Sequence, residues 1–156
     1  MNNSKRVAGD QSPGKPARNR RAASVALWSG SLLLLASCLY QSRDIPPPVD
    51  GVEVSLNEDN FQSEVLQSPQ LVLVEFGATW CGPCRDMESV LAHLSLDYEG
   101  RVKVGKVDVD ESERLAAEYE ASGIPLMVLI KDGVEVDRTV GWHSLDELSN
   151  WVDGYL

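Results

Sequence analysis

The sequence predicts an α/β fold with a mixed central sheet and helices on both faces. Three observations carry this. From residue 51 onward short β-branched runs alternate with helical patterns, the signature of strands joined by crossover helices. One run, Leu71-Val72-Leu73-Val74-Glu75-Phe76, is too apolar to have a wet face and reads as a strand covered on both sides. Near the end, Asp132-Gly133 separates two strand-like runs. Such a dipeptide is a strong hairpin signal, so one pair of strands is antiparallel.

In chain order, Val52-Glu53-Val54 reads as a short strand. A helix over Asn57 to Gln67 follows, with Asn57 or Asp59 as cap and Phe61, Val65 and Leu66 as its apolar stripe. After the strand over 71–76, a helix runs from Cys81 to about Tyr98 with Met87, Val90, Leu91 and Leu94 inward, and Glu99-Gly100 stops it. Val102 to Val109 is the next strand and Ser112 to Ala121 the next helix. The hairpin joins Leu126–Ile130 to Val134–Val140. Ser144 with Glu147 three residues on forms a capping box for a last helix to about Tyr155. The order is βαβαβαββα.

The chemistry lies where the first long strand meets its helix, at Thr79-Trp80-Cys81-Gly82-Pro83-Cys84-Arg85. A cysteine at a helix N-terminus faces unpaired N–H groups and the positive end of the macrodipole, which favour thiolate over thiol. Cys84, three residues on, returns to the same face within disulfide reach. Pro83 stands in the first turn, where its missing N–H costs nothing, and Gly82 lets another chain approach the sulfur. Half a zinc site is the bland alternative. A structural zinc site takes four ligands, yet the only other cysteine, Cys38, is 43 residues earlier, and His93 and His143 are isolated. Neither a metal nor a cofactor is called for.

Trp80-Cys81-Gly82-Pro83-Cys84 resembles the active-site motif of the thioredoxin family, and the resemblance extends over roughly residues 52–156. It implies the thioredoxin fold, a Cys81–Cys84 redox couple with a lowered cysteine pKa, and protein disulfides as substrates. Ser122-Gly123-Ile124-Pro125 matches the loop that carries the family's cis-proline. A cis Ile124–Pro125 bond would offer the Ile124 backbone to an extended substrate, although a trans proline would serve equally as a helix stop. Glu75 stands where the family commonly carries a buried aspartate, and Lys106 matches its lysine neighbour. A buried carboxylate there has a raised pKa and could move a proton to or from Cys84; a structural Glu–Lys pair is the other reading. Trp80 and Gly141 agree with the family as lining of a substrate groove, and core packing or turn geometry accounts for each equally well. Three positions depart from it: Gly77 where tryptophan is frequent, Ser89 in place of the proline that kinks the active-site helix, and Leu126 after Pro125 where threonine is common. A more open surface near Cys81, a straighter helix and a different partner set follow.

The N-terminal segment reads as an address. Residues 1–37 hold six of the 14 Lys/Arg and one of the 24 Asp/Glu, leaving 8 basic and 23 acidic side chains, net −15, in residues 38–156. That acidity excludes nucleic acid as a partner. A basic stretch over 1–21 and an uncharged apolar run over 22–37 have the form of an export signal, and 16 residues are short for a membrane span. Leu35-Ala36-Ser37-Cys38 resembles the lipobox of bacterial lipoproteins. That resemblance implies cleavage before Cys38, acyl chains on it, and attachment to the cell envelope. An uncleaved signal anchor, ordinary small-residue cleavage and twin-arginine export through Arg20-Arg21 stand beside it, and all place the domain outside the cytoplasm. Residues 38–50, with three consecutive prolines at 46–48, read as a lipid anchor and an extended spacer, and residues 51–156 as the folded domain.

The expected activity is thiol–disulfide exchange on proteins, in the reducing direction by resemblance of Gly82-Pro83 to reducing members. A membrane-embedded thiol reductase would supply electrons, and apocytochrome c cysteines or misoxidised envelope proteins would be clients. Two other readings remain: a disulfide oxidase or isomerase using the same cysteines, and a redox-silent binding module using the Pro125 groove.

Overall fold

The computed structural model describes residues 43–156. The export signal, the lipobox and Cys38 lie outside the described residues. Within them, five strands form one sheet in the order β1-β3-β2-β4-β5. The strands are β1 (Val54–Leu56), β2 (Leu71–Gly77), β3 (Val102–Asp108), β4 (Leu126–Lys131) and β5 (Val134–Val140). β1 and β2 flank β3 in parallel, β4 runs antiparallel to β2, and β5 antiparallel to β4. The sheet is therefore mixed, as its connections require: helical crossovers link the parallel strands, and a two-residue turn links β4 to β5. In that turn Asp132 and Gly133 have φ of 53° and 76°, the left-handed conformations that a tight hairpin demands.

The helices are α1 (Gly82–Asp97), α2 (Glu113–Glu118) and α3 (Leu145–Asp153). Period-two alternation along β2 divides the core between the sheet's faces. Leu71 and Leu73 join Met87, Val90, Leu91 and Leu94 of α1 and Leu148 and Val152 of α3 on one face. Val72, Val74 and Phe76 join Phe61, Val65 and Leu115 on the other. By the same alternation Glu75 and Gly77 of β2, and Lys106 and Asp108 of β3, fall on the α1 face beyond the last apolar layer. This face places them at the carboxyl ends of the parallel strands, where open α/β sheets form their sites.

Cys81 is the N-cap of α1, and Gly100, at φ 79°, turns the chain away at its other end. The capping box of α3 is complete: Ser144 Oγ accepts from Glu147 N–H, and Glu147 Oε2 accepts from Ser144 N–H at 2.8 Å. The first helix expected, over 57–67, is instead a turn followed by a five-residue π-helical segment, Gln62–Leu66. Asn57 Oδ1 accepts from the N–H groups of Asp59 and Asn60, and Asn60 Oδ1 accepts from Asn57 N–H. These side-chain bonds compete with helical ones and shorten the helix. The first strand likewise lies two residues later than expected, over 54–56.

The end of the proline-rich spacer is bonded to α1. Ser89 Oγ meets the Pro46 and Pro47 carbonyls at 2.6 and 2.9 Å, and His93 Nε2 donates to the Pro47 carbonyl at 2.9 Å. Val52 N–H donates to Ser95 Oγ, and Arg43 pairs with Asp86 while lying over the Trp142 ring. His93, isolated from other metal-binding side chains in the sequence, is thus a clasp for this strap. Ser89 leaves α1 unbroken, as its replacement of a proline predicts.

Candidate active site

The sulfurs sit where β2 hands over to α1. Cys81 and Cys84 are joined by a disulfide with their Cα atoms 5.2 Å apart, and both residues are buried. Cys81 Sγ accepts from Cys84 N–H at 3.1 Å. A sulfur in this position receives the N-terminal field of a sixteen-residue helix, which stabilises a thiolate once the disulfide opens. Gly82 and Pro83 form the first turn over the pair, with Pro83 exposed. Trp80 beside them is 65% exposed, its indole N–H held by Asp110 Oδ2 at 2.7 Å.

The loop before β4 closes the other side. The Ile124–Pro125 peptide bond is cis, and Ile124 packs against the small cluster of Ala78, Cys81 and Cys84. Gly141 N–H donates to the Pro125 carbonyl at 2.8 Å, and Gly141 has a φ of 102°. Such a φ favours glycine, so backbone geometry alone accounts for the residue type. Gly82 and Pro83 thus lie between the two cysteines, Trp80 directly precedes them, Ile124 packs against them, and Gly141 is tied to the next residue, Pro125.

Beneath the disulfide lies a cavity of about 160 Å³ whose lining includes Glu75, Gly77, Cys84, Glu88, Lys106 and Asp108. Glu75 is 3% exposed. Burial pushes its carboxyl up from the ordinary 4.5 to about 7. The Lys106 ammonium opposes that rise, and the Glu88 and Asp108 carboxylates add to it. Glu75 and Lys106 are partners in the parallel register of β2 and β3, yet Oε1 of Glu75 has no hydrogen-bond partner. A closed structural ion pair would satisfy both carboxylate oxygens. Among the described residues no ion pair joins Glu75 to Lys106, and burial holds this carboxyl above its ordinary range in the cavity that Cys84 also lines.

Glu88 and Asp108, which sequence reasoning did not single out, complete this cavity. Their signal was spacing: Glu88 stands one turn after Cys84 on α1, and Asp108 two residues after Lys106 on β3. Gly77 is buried, and the space that a side chain there would fill holds the Glu75 carboxylate. Trp142 and His143 lie between β5 and α3, with His143 N–H directed at Met87 Sδ at 3.3 Å. Among the described residues no three His, Cys, Asp or Glu side chains are grouped to hold a metal ion, and no helix is long and apolar enough to cross a membrane.

Comparison with known proteins agrees with this geometry. The family model described as Thioredoxin matches residues 52–154. Thioredoxin of Staphylococcus aureus strain Mu50 is 42% identical over 103 residues, which are 66% of this chain and 97% of that protein. The thioredoxin of strain MW2 matches to the same extent.

Proposed function

The chain belongs to the thioredoxin family, and on that premise we propose that it reduces protein disulfides outside the cytoplasm while tethered to the bacterial cell envelope by lipid on Cys38. It is a thioredoxin-type thiol–disulfide oxidoreductase whose Cys81–Cys84 pair is closed in this structure. The observation that carries the exchange mechanism is the cavity that Cys84 and Glu75 both line, where burial raises the carboxyl to about 7; the reducing direction is supported by the resemblance of Gly82-Pro83 to reducing members.

The Cys81 thiolate attacks one sulfur of a substrate disulfide. The other substrate sulfur leaves as a thiolate and takes a proton from solvent. Glu75, in its charged form, takes the Cys84 proton through the shared cavity. The Cys84 thiolate then attacks Cys81 Sγ and expels the second substrate thiolate, which is protonated in turn. Two electrons pass to the substrate, and the protein is left as the disulfide seen here. Trp80, Gly82, Pro83 and the Ile124-Pro125 segment border the site and would receive an extended substrate chain beside the sulfurs. Lys106 would stabilise the charged state of Glu75.

Returning to the dithiol requires two electrons from another dithiol. In an oxidising compartment these come from a membrane-embedded thiol reductase. The basic and apolar segments over 1–37 and the Leu35-Ala36-Ser37-Cys38 sequence support the tether. The full chain supplied with a small dithiol is expected to reduce insulin disulfides catalytically, and absence of turnover would count against a reductase. Intact-mass analysis of the membrane fraction is expected to show a chain beginning at an acylated Cys38; a mature protein that keeps residues 1–37 would exclude the lipid tether.

A further inference from the structure

Gly77 and Glu75 are two residues apart on β2 and share its α1 face. A Cβ built on Gly77 would lie 3.0 Å from Glu75 Cδ and 3.2 Å from Oε2, and closer still to Oε1. All three of its nearest neighbours thus belong to one carboxylate. The side chain absent from Gly77 and the Glu75 carboxylate, carried outward by the extra methylene of glutamate, compete for the same volume. We infer that Gly77 is a positioning residue: its missing side chain is what lets a carboxylate as long as that of Glu75 reach the cavity beside Cys84. The inference rests on the reading of Glu75 as a proton carrier, and it explains two departures from the family as one adjustment.

The alternative, that Gly77 is required by backbone conformation, has no support, because its φ lies outside the left-handed region. Nor does any backbone atom stand among the three nearest to the added Cβ. The obstruction is the far end of a flexible side chain, so a substitution at 77 displaces the carboxylate and leaves the strand in place. The charged groups that would meet a displaced carboxylate are Lys106 and Asp108 from β3, Glu88 from α1, and Cys84 once it is reduced; on the β4 side the partner of Glu75 is Met127, which carries no charge.

The test is a cycle of Gly77→Ala and Glu75→Asp in the full chain. It is read by the rate at which Cys84 resolves a mixed disulfide across pH, and by a carbon-13 titration of the residue-75 carboxyl. Gly77→Ala alone is expected to slow resolution at pH 7 about tenfold or more, as misplacement of a reacting group does, and to shift the carboxyl titration. In the Glu75→Asp background the same change is expected to alter the rate less than about twofold, since the shorter side chain leaves that volume free. Equal losses in both backgrounds, or an unshifted carboxyl in Gly77→Ala, would overturn the pairing. If Glu75→Gln leaves the pH profile of resolution unchanged, the proton role fails while a shifted carboxyl in Gly77→Ala still upholds the pairing. Should Gly77→Ala fail to fold, folding of the double variant supports the shared volume, and failure of both overturns it.

Discussion

Cys81→Ser is expected to abolish protein-disulfide reduction, a loss of at least three orders of magnitude, on the order of what deleting a catalytic nucleophile costs elsewhere. Serine keeps the N-cap hydrogen bond to the residue-84 N–H, so the fold survives and the loss reports chemistry. Cys84→Ser has a different expected signature. Attack by Cys81 remains, and turnover stops after one event with the substrate held as a mixed disulfide. The two are separated by electrophoresis without reductant: a covalent adduct accumulates for Cys84→Ser and none for Cys81→Ser. Adducts formed by both variants would assign the nucleophile wrongly. Unchanged function in cells when both cysteines are replaced would favour a binding module over an enzyme.

Glu75→Gln is expected to change stability in a manner that depends on pH. The folded disulfide form binds a proton at residue 75 up to about pH 7, whereas the unfolded chain releases it near 4.5. As pH rises through that window the unfolded chain binds fewer protons than the folded one, so wild-type stability falls. Above 7 the loss is complete, because a charged carboxylate is then buried. The gap amounts to about 3 kcal/mol at 1.36 kcal/mol per pKa unit. Urea unfolding of the oxidised protein is therefore expected to show the variant gaining about 3 kcal/mol over wild type between pH 4 and pH 8. A difference that stays constant with pH would mean that Glu75 does not titrate in this range. Kinetically the sign is opposite. The charged carboxylate is the base, so wild-type resolution by Cys84 is expected to accelerate as pH rises through about 7, and Glu75→Gln to lose that inflection with a fall of about 100-fold, the lower end for general bases.

These two effects come from the part of the molecule most legible in the sequence. The apolar run of β2, the Cys-x-x-Cys placed directly after it, the Asp132-Gly133 turn and the Ser144 capping box are local signals with one geometric solution each. The neighbouring positions of Glu75 and Lys106 were legible only through the family resemblance, because a run as apolar as β2 does not say which of its faces meets which face of β3. What stayed hidden depended on distant partners. The strap over 43–50 reads as free spacer because polyproline segments have no bonds of their own; its docking follows from Ser89 and His93, more than 40 residues away. The shortened first helix depended on Asn57 and Asn60 capturing backbone groups that a periodicity argument assigns to the helix. What the sequence could not show at Gly77 is the Glu75 carboxylate occupying the space a side chain there would take.

The direction of electron flow is tested most directly by the reduction potential of the Cys81–Cys84 pair, measured by equilibrating the protein with a dithiol of known potential. A helix-capping Cys81, a proton acceptor at Glu75 and the Gly82-Pro83 turn lead to an expected value near that of thioredoxin, about −270 mV. A value near the oxidising end of the thioredoxin-fold range, about −120 mV, would contradict the reducing function and make the protein a disulfide donor acting through the same residues.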